Sequence, residues 1–181
     1  MNARLFVLTG GPGSGKTTLL AALAEAGLAT MPEAGRAIIR DQIRIGGTGW
    51  HGQDRRLFAE LMLGWEMRSW QAAQAVEGPV FFDRGIPDVI GYLSLYEGHV
   101  PVHVTRAARL YRYHPTVLLA PPWAEIFEQD EDRGQDFDEA VATAQAMEQA
   151  YAEAGYDLLP LPLAPVAERV DFVLDLLDRS A

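Results

Sequence analysis

The stretch LFVLTGGPGSGKTT, residues 5–18, leaves a chain few folds to choose from. LFVLTG, residues 5–10, has no polar alternation, which predicts a strand covered on both faces. KTTLLAALAE, residues 16–25, has helical spacing. Between them the chain must turn tightly through Gly10, Gly11, Gly13 and Gly15. The pattern is G-x-x-x-x-G-K-[ST] at Gly10, Gly15, Lys16 and Thr17, set between a strand and a helix as the motif requires. Glycines carry no Cβ, so the backbone can curl and aim several N–H groups inward. With the N-terminus of the helix, those donors hold phosphate oxygens. Gly11, Gly13, Ser14, Gly15, Lys16, Thr17 and Thr18 are therefore expected to bind a nucleotide. Lys16 would reach the β- and γ-phosphates, Thr18 an α-phosphate, and the Thr17 hydroxyl a Mg²⁺ ion.

Lys16 is also the only lysine among 15 basic residues. A Ras-like GTPase reads guanine with Asn-Lys-x-Asp, and a chain with one lysine, already used in the loop, has no such motif. ATP is the expected nucleotide, with GTP as the alternative.

The remaining 181-residue sequence alternates short apolar runs with amphipathic segments. Strands are expected at 27–32, 79–84, 116–120 and 156–161. Helices are expected at 34–45, 54–76 (capped by Asp54), 86–96, 101–112, about 140–154 and 164–180. Residues 46–53, rich in glycine, read as a loop. Strands separated by helices predict an α/β fold: a three-layer parallel sheet of about five strands, with helices on both faces. The expected organisation is one domain over residues 1–181, with a lid-like segment at about 124–136.

The formal net charge of -10 argues against general nucleic-acid binding, which needs a basic surface. It leaves room for a small anion held by local arginines and backbone N–H groups. The absence of cysteine excludes disulfides and thiol catalysis. No apolar run approaches the length of a membrane span. The N-terminal run reads as a first strand and not a leader, so a cytoplasmic location is expected.

A phosphate loop needs an acidic group at the end of a neighbouring strand, and PVFFDRG supplies Asp83. Asp83 would bind Mg²⁺ through water or act as a base toward an acceptor; the plain alternative is a helix cap. Arg84 follows, where ring ATPases that remodel proteins carry a catalytic Glu. In MPEAGR, Glu33 and Arg36 are three apart and would share a helix face. Glu33 could accept from a substrate hydroxyl and Arg36 could clamp a phosphate or carboxylate. A dipole-stabilised Glu and an exposed Arg are the equally simple alternative. Arg106, Arg109 and Arg112 recur every third residue, most simply as a solvated stripe. Trp65 and Trp70 read as helix packing. Trp50 and His51 read as an ordinary loop, with covering a substrate as the alternative.

The chain resembles the small-molecule and nucleotide kinase branch of the phosphate-loop fold. More closely, it resembles the single-domain "AAA domain" ATPase family related to nicotinamide riboside kinase-like domains. The segments that carry this are VLTGGPGSGKTTLL, MPEAGRAIIRDQ, FFDRGIPDVIGYL, LLAPPWAEIFEQDEDR, AYAEAGYDLLPLP and VAERVDFVL. The resemblance implies that Glu33, Arg36 and Arg84 face the acceptor and that Arg133, in EDRGQD, is a lid arginine. It implies an adenine site near Pro162 to Pro165. Two functions follow as expectations. One is an ATP- and Mg²⁺-dependent kinase of a small molecule, with Lys16, Asp83, Arg84, Arg133 and Glu33 as the catalytic set. The other is a nucleotide-binding switch that signals to a partner protein or lipid headgroup.

Overall fold

The computed structural model describes residues 4–127 and 136–180. Its strands are β1 (Leu5–Gly10), β2 (Ala29–Met31), β3 (Val80–Asp83), β4 (Thr116–Ala120) and β5 (Asp157–Pro160). All pair in parallel, in the order β2-β3-β1-β4-β5. The helices are α1 (Lys16–Glu25), α2 (Ala34–Ile45), α3 (Arg55–Ala73), α4 (Ile86–Glu97), α5 (Val102–Leu110), α6 (Phe137–Glu153) and α7 (Val166–Ser180).

The apolar runs of β1 and β3 are buried along their full length, because both strands are interior and both faces are covered. Side chains alternate across the sheet. Leu5, Val7, Val80 and Phe82 join a core with α3, α4, α5 and α6. Phe6, Leu8, Phe81 and Leu118 join a second core with α1 and α7. A third cluster seats α2 against α3 through Ile38, Ile39 and Phe58. The α/β three-layer arrangement is as the sequence predicts, and the element bounds differ mainly at their ends.

Two of those ends have identifiable causes. The helix expected from 54 starts at Arg55, and the Asp54 carboxylate accepts from Leu57 N at 2.9 Å. It stops at Ala73, short of residue 76. The helix expected over 101–112 ends at Leu110, so Arg112 leaves the stripe. Its Nη1 donates to Ala154 O at 2.9 Å and its guanidinium lies 3.9 Å over the Tyr156 ring. Arg106 and Arg109 remain exposed, as a solvated face requires. Trp70 donates its indole N–H to Arg112 O at 3.0 Å, and Trp65 packs in the α2–α3 cluster.

The strand order sets where a ligand can bind. β1 and β4 are neighbours, yet β1 continues through α1 to β2 on one side and β4 through α6 to β5 on the other. Such a divergence opens a crevice at the carboxyl ends of the strands. The glycine loop leaves β1 at that end.

Candidate functional site

The loop is shaped by close backbone approaches. Gly10 has φ 132°, and a Cβ there would lie 2.2 Å from Ala120 O on β4. A Cβ on Gly11 would lie 2.3 Å from Ala140 O on α6. No side chain fits at either position without moving backbone. The ammonium of Lys16 is buried and donates to Gly11 O at 2.6 Å, Gly10 O at 3.2 Å and Ser14 Oγ at 3.1 Å. Ser14 Oγ in turn donates to Gly11 O at 2.8 Å. Thr17 and Thr18 are exposed at the start of α1.

A cavity of about 470 Å³ opens over this loop. Pro12 to Thr18 form one side, and Trp123, Ile126, Ala164, Pro165 and Arg169 the other. The segment expected to hold adenine therefore borders the cavity at Ala164 and Pro165. Arg169, which the sequence did not single out, is 3% exposed and donates from Nη1 to Ser14 O at 3.2 Å. Among the described residues its Nε has no hydrogen-bond partner, and burial lowers its pKa. No carboxylate of the described residues pairs with it. A buried cation that no described carboxylate neutralises, at the wall of a phosphate-shaped loop, suits an incoming anion.

A second cavity, about 230 Å³, lies between α2, α3, α4 and α6. Ile39, Phe58, Met62, Val89, Tyr92 and Met147 make it largely apolar. Glu33 and Arg84 border both cavities. Arg36 borders the loop cavity rather than the apolar one. His51 reaches the apolar cavity from the glycine-rich loop, so that loop does more than cap α3.

The junction is held by charge. Glu33 stands at the N-cap of α2, its Oε1 3.5 Å from Arg84 Nε and its Oε2 3.7 Å from Arg36 Nε. Arg84 continues the ladder past β3 by donating its N–H to Leu8 O at 2.9 Å. Its φ is 76°, a left-handed value that no other non-glycine among the described residues adopts. That strain aims its side chain between the two cavities, where strained residues commonly serve function. Arg84 Nη1 then donates to Asp88 Oδ1 at 3.0 Å.

Asp88 was not foreseen from sequence. It also accepts from Thr9 Oγ1 at 2.7 Å, Gly85 N at 2.9 Å and Tyr151 Oη at 2.6 Å. Asp88, and not Asp83, is thus the carboxylate that caps α4. The signal was present in part, since an acidic residue at the third position of a helix favours capping. Its other partners come from β1 and α6 and have no local trace.

Asp83 is 4% exposed, and among the described residues its Oδ1 has no hydrogen-bond partner. An orphaned carboxylate oxygen at the end of β3 suits a hydrated Mg²⁺, as does the hydroxyl of the exposed Thr17. Among the described residues there is no cluster of three or more His, Cys, Asp or Glu that could hold a metal without further ligands. Arg133 lies outside the described residues. Phe127 and Phe137, on either side of that segment, meet edge to face at 5.4 Å. No helix of the described residues is long and apolar enough to cross a membrane.

Comparison with solved structures shows the same fold in kinases of nucleosides and nucleotides. Thymidylate kinase from Ehrlichia chaffeensis superposes with a TM-score of 0.64 at 14% identity, covering 98% of this chain and 100% of that one. Deoxyadenosine kinase from M. mycoides with bound dATP gives 0.59 at 12% identity, covering 96% and 99%. The same kinase with dCMP and a flexible dCDP gives 0.62 at 12% identity, covering 97% and 99%. No curated protein matches the chain. A family model described as "AAA domain" matches residues 5–169, from the first strand to the arginine that touches the glycine loop. On that match, which takes in the loop, Glu33, Asp83 and Arg84, the chain belongs to the AAA domain family of phosphate-loop proteins.

Proposed function

We propose that this protein is an ATP- and Mg²⁺-dependent phosphotransferase acting on a hydroxyl group of a small molecule. The observation that carries the reading is the pair of cavities meeting at Glu33 and Arg84. A switch needs a nucleotide site only; a kinase needs a second, acceptor-sized site beside the γ-phosphate. GTP in place of ATP would leave the rest of the proposal unchanged.

Each residue then has a role. The backbone N–H groups of Gly11 to Thr18 and the Lys16 ammonium hold the phosphate chain. Lys16 exchanges its loop carbonyls for phosphate oxygens. Thr17 and Asp83 would hold Mg²⁺, which neutralises charge on the phosphates when bound. Glu33 accepts the proton of the acceptor hydroxyl. The acceptor oxygen bonds to the γ-phosphorus as the bond from that phosphorus to the β-γ bridging oxygen breaks. Arg84, fixed by Glu33 and Asp88, adds positive charge where the three groups meet. Arg133 is assigned the same task from the lid, and Arg36 a phosphate contact from the loop side.

The charge of the apolar cavity bears on the acceptor. Glu33, Asp88 and Glu139 line it, against Arg55 and Arg84. Arg84 is already paired with two of those carboxylates. This balance favours an uncharged acceptor, as in a nucleoside kinase, over a phosphate monoester such as thymidylate.

The test is ATP consumption with a panel of nucleosides, sugars and vitamins, each checked for a phosphorylated product. We expect at least one uncharged hydroxyl compound to be phosphorylated. Turnover no faster with any of them than with water would return the protein to the switch reading.

A further inference from the structure

Glu66 sits on α3, 4% exposed, with its carboxyl at the wall of the apolar cavity. Among the described residues it makes no hydrogen bond and no ion pair. Glu66 lines the cavity, so a ligand there would supply the hydrogen bonds that the protein does not. Burial, then Asp88 and Asp83, raise its pKa well above the ordinary 4.5, against a weaker pull from Arg84. A carboxyl that holds its proton presents an O–H donor and a C=O acceptor side by side in one plane.

The surroundings are suited to a flat ring. Phe58 meets Tyr92 edge to face at 5.5 Å, and His51 meets Phe58 at 6.2 Å. Burial and Arg55 lower the His51 pKa, which keeps that ring neutral. An apolar cavity of about 150 Å³ is enough to bind benzene. This one, at about 230 Å³, has room for a substituted ring.

We propose that Glu66 is a specificity-determining residue whose carboxyl pairs, through two hydrogen bonds, with the edge of a flat heteroaromatic acceptor. The matching edge is a ring nitrogen beside an exocyclic N–H, or a lactam N–H beside its carbonyl. This rests on the cavity being the acceptor site.

Other titratable and charged groups face Glu66 from each packed element. They are Glu33 at α2, His51 and Arg55 at the start of α3, and Asp83, Arg84, Asp88 and Tyr92 from β3 and α4. Tyr113 before β4 and Glu139 on α6 complete the set. Asp88 is bound to Arg84 and Tyr151, and Glu33 is paired with Arg84 and Arg36, whereas the Glu66 carboxyl has no partner among the described residues.

Free aminopyrimidine and pyrimidine serve as probes, because neither has a hydroxyl to phosphorylate. Ligand-observed NMR should show aminopyrimidine binding about tenfold more tightly than pyrimidine, the value of one or two well-made hydrogen bonds. E66Q, whose carboxamide keeps a donor beside an acceptor, should retain the preference. E66L should abolish it while its ATP-induced thermal shift shows an intact fold. Rising pH should weaken the preference in the parent and leave E66Q unchanged. A preference surviving in E66L, or lost in E66Q, overturns the proposal; loss in E66Q would point to an ionised carboxylate reading a cation. Ring binding of this pattern without any phosphorylated product in the hydroxyl panel would sink the kinase reading and leave this one standing.

Discussion

Arg84 Nη1 lies 3.0 Å from Asp88 Oδ1, one helical turn away, and the same guanidinium is 3.5 Å from Glu33 through Nε. The pair links the strained end of β3 to the first turn of α4. Asp88 holds four donors, from Thr9, Arg84, Gly85 and Tyr151. An amide there would turn its own N–H₂ toward at least one of them. Asp88→Asn should lower stability by about 3 kcal/mol, as breaking a buried pair does. Urea unfolding should show a lower midpoint with an unchanged m-value.

Lys16 is buried against its own loop and has no other lysine to replace it. ATP with Mg²⁺ at 100 times Kd should stabilise the parent by about 2.7 kcal/mol. Lys16→Ala should lose nearly all of that shift in a thermal melt. A mutant stabilised as much as the parent would remove the loop from the nucleotide site.

Arg169 should show two effects of opposite sign. Among the described residues this buried cation has one carbonyl partner, so its removal relieves desolvation in the free protein. Arg169→Met should leave unliganded stability equal or raise it by about 1 kcal/mol. The same variant should bind ATP about tenfold more weakly, having lost a charge-assisted contact. Calorimetry and melts on one preparation measure both.

Glu66 makes stability depend on pH. Its folded-state pKa is raised, so between the unfolded value near 4.5 and the folded one only the native state holds the proton. Its contribution is complete below the unfolded pKa and is lost as pH rises through the folded pKa. Within that window stability should fall by about 1.4 kcal/mol per pH unit from this group. Glu66→Gln should flatten that part of the profile in denaturant titrations at successive pH values.

The elements were legible where their causes are local. β1 and β3 announce themselves as unbroken apolar runs, the α3 start as an Asp cap, and the loop as glycines before a lysine. Glu33 and Arg36 were placed together by their spacing alone, and they do approach within 3.7 Å. Arg112 was misplaced because helical spacing continues past residue 110, while the Ala154 carbonyl and the Tyr156 ring that draw it away are distant in sequence.

Sequence alone determined the strand–loop–helix that begins the chain, because Gly10 and its neighbours answer to backbone geometry within a few residues. It determined the layered α/β class for the same reason, through periodicity. The meeting of two cavities at Glu33 and Arg84, the four donors on Asp88, the lone carboxyl of Glu66 and the cation of Arg169 were decided only by tertiary structure. Each depends on the order β2-β3-β1-β4-β5, which brings β1, α4 and α6 together and lays α7 against the loop. An isolated Asp, Glu or Arg on a helix carries no mark of the partner that burial will give it or withhold.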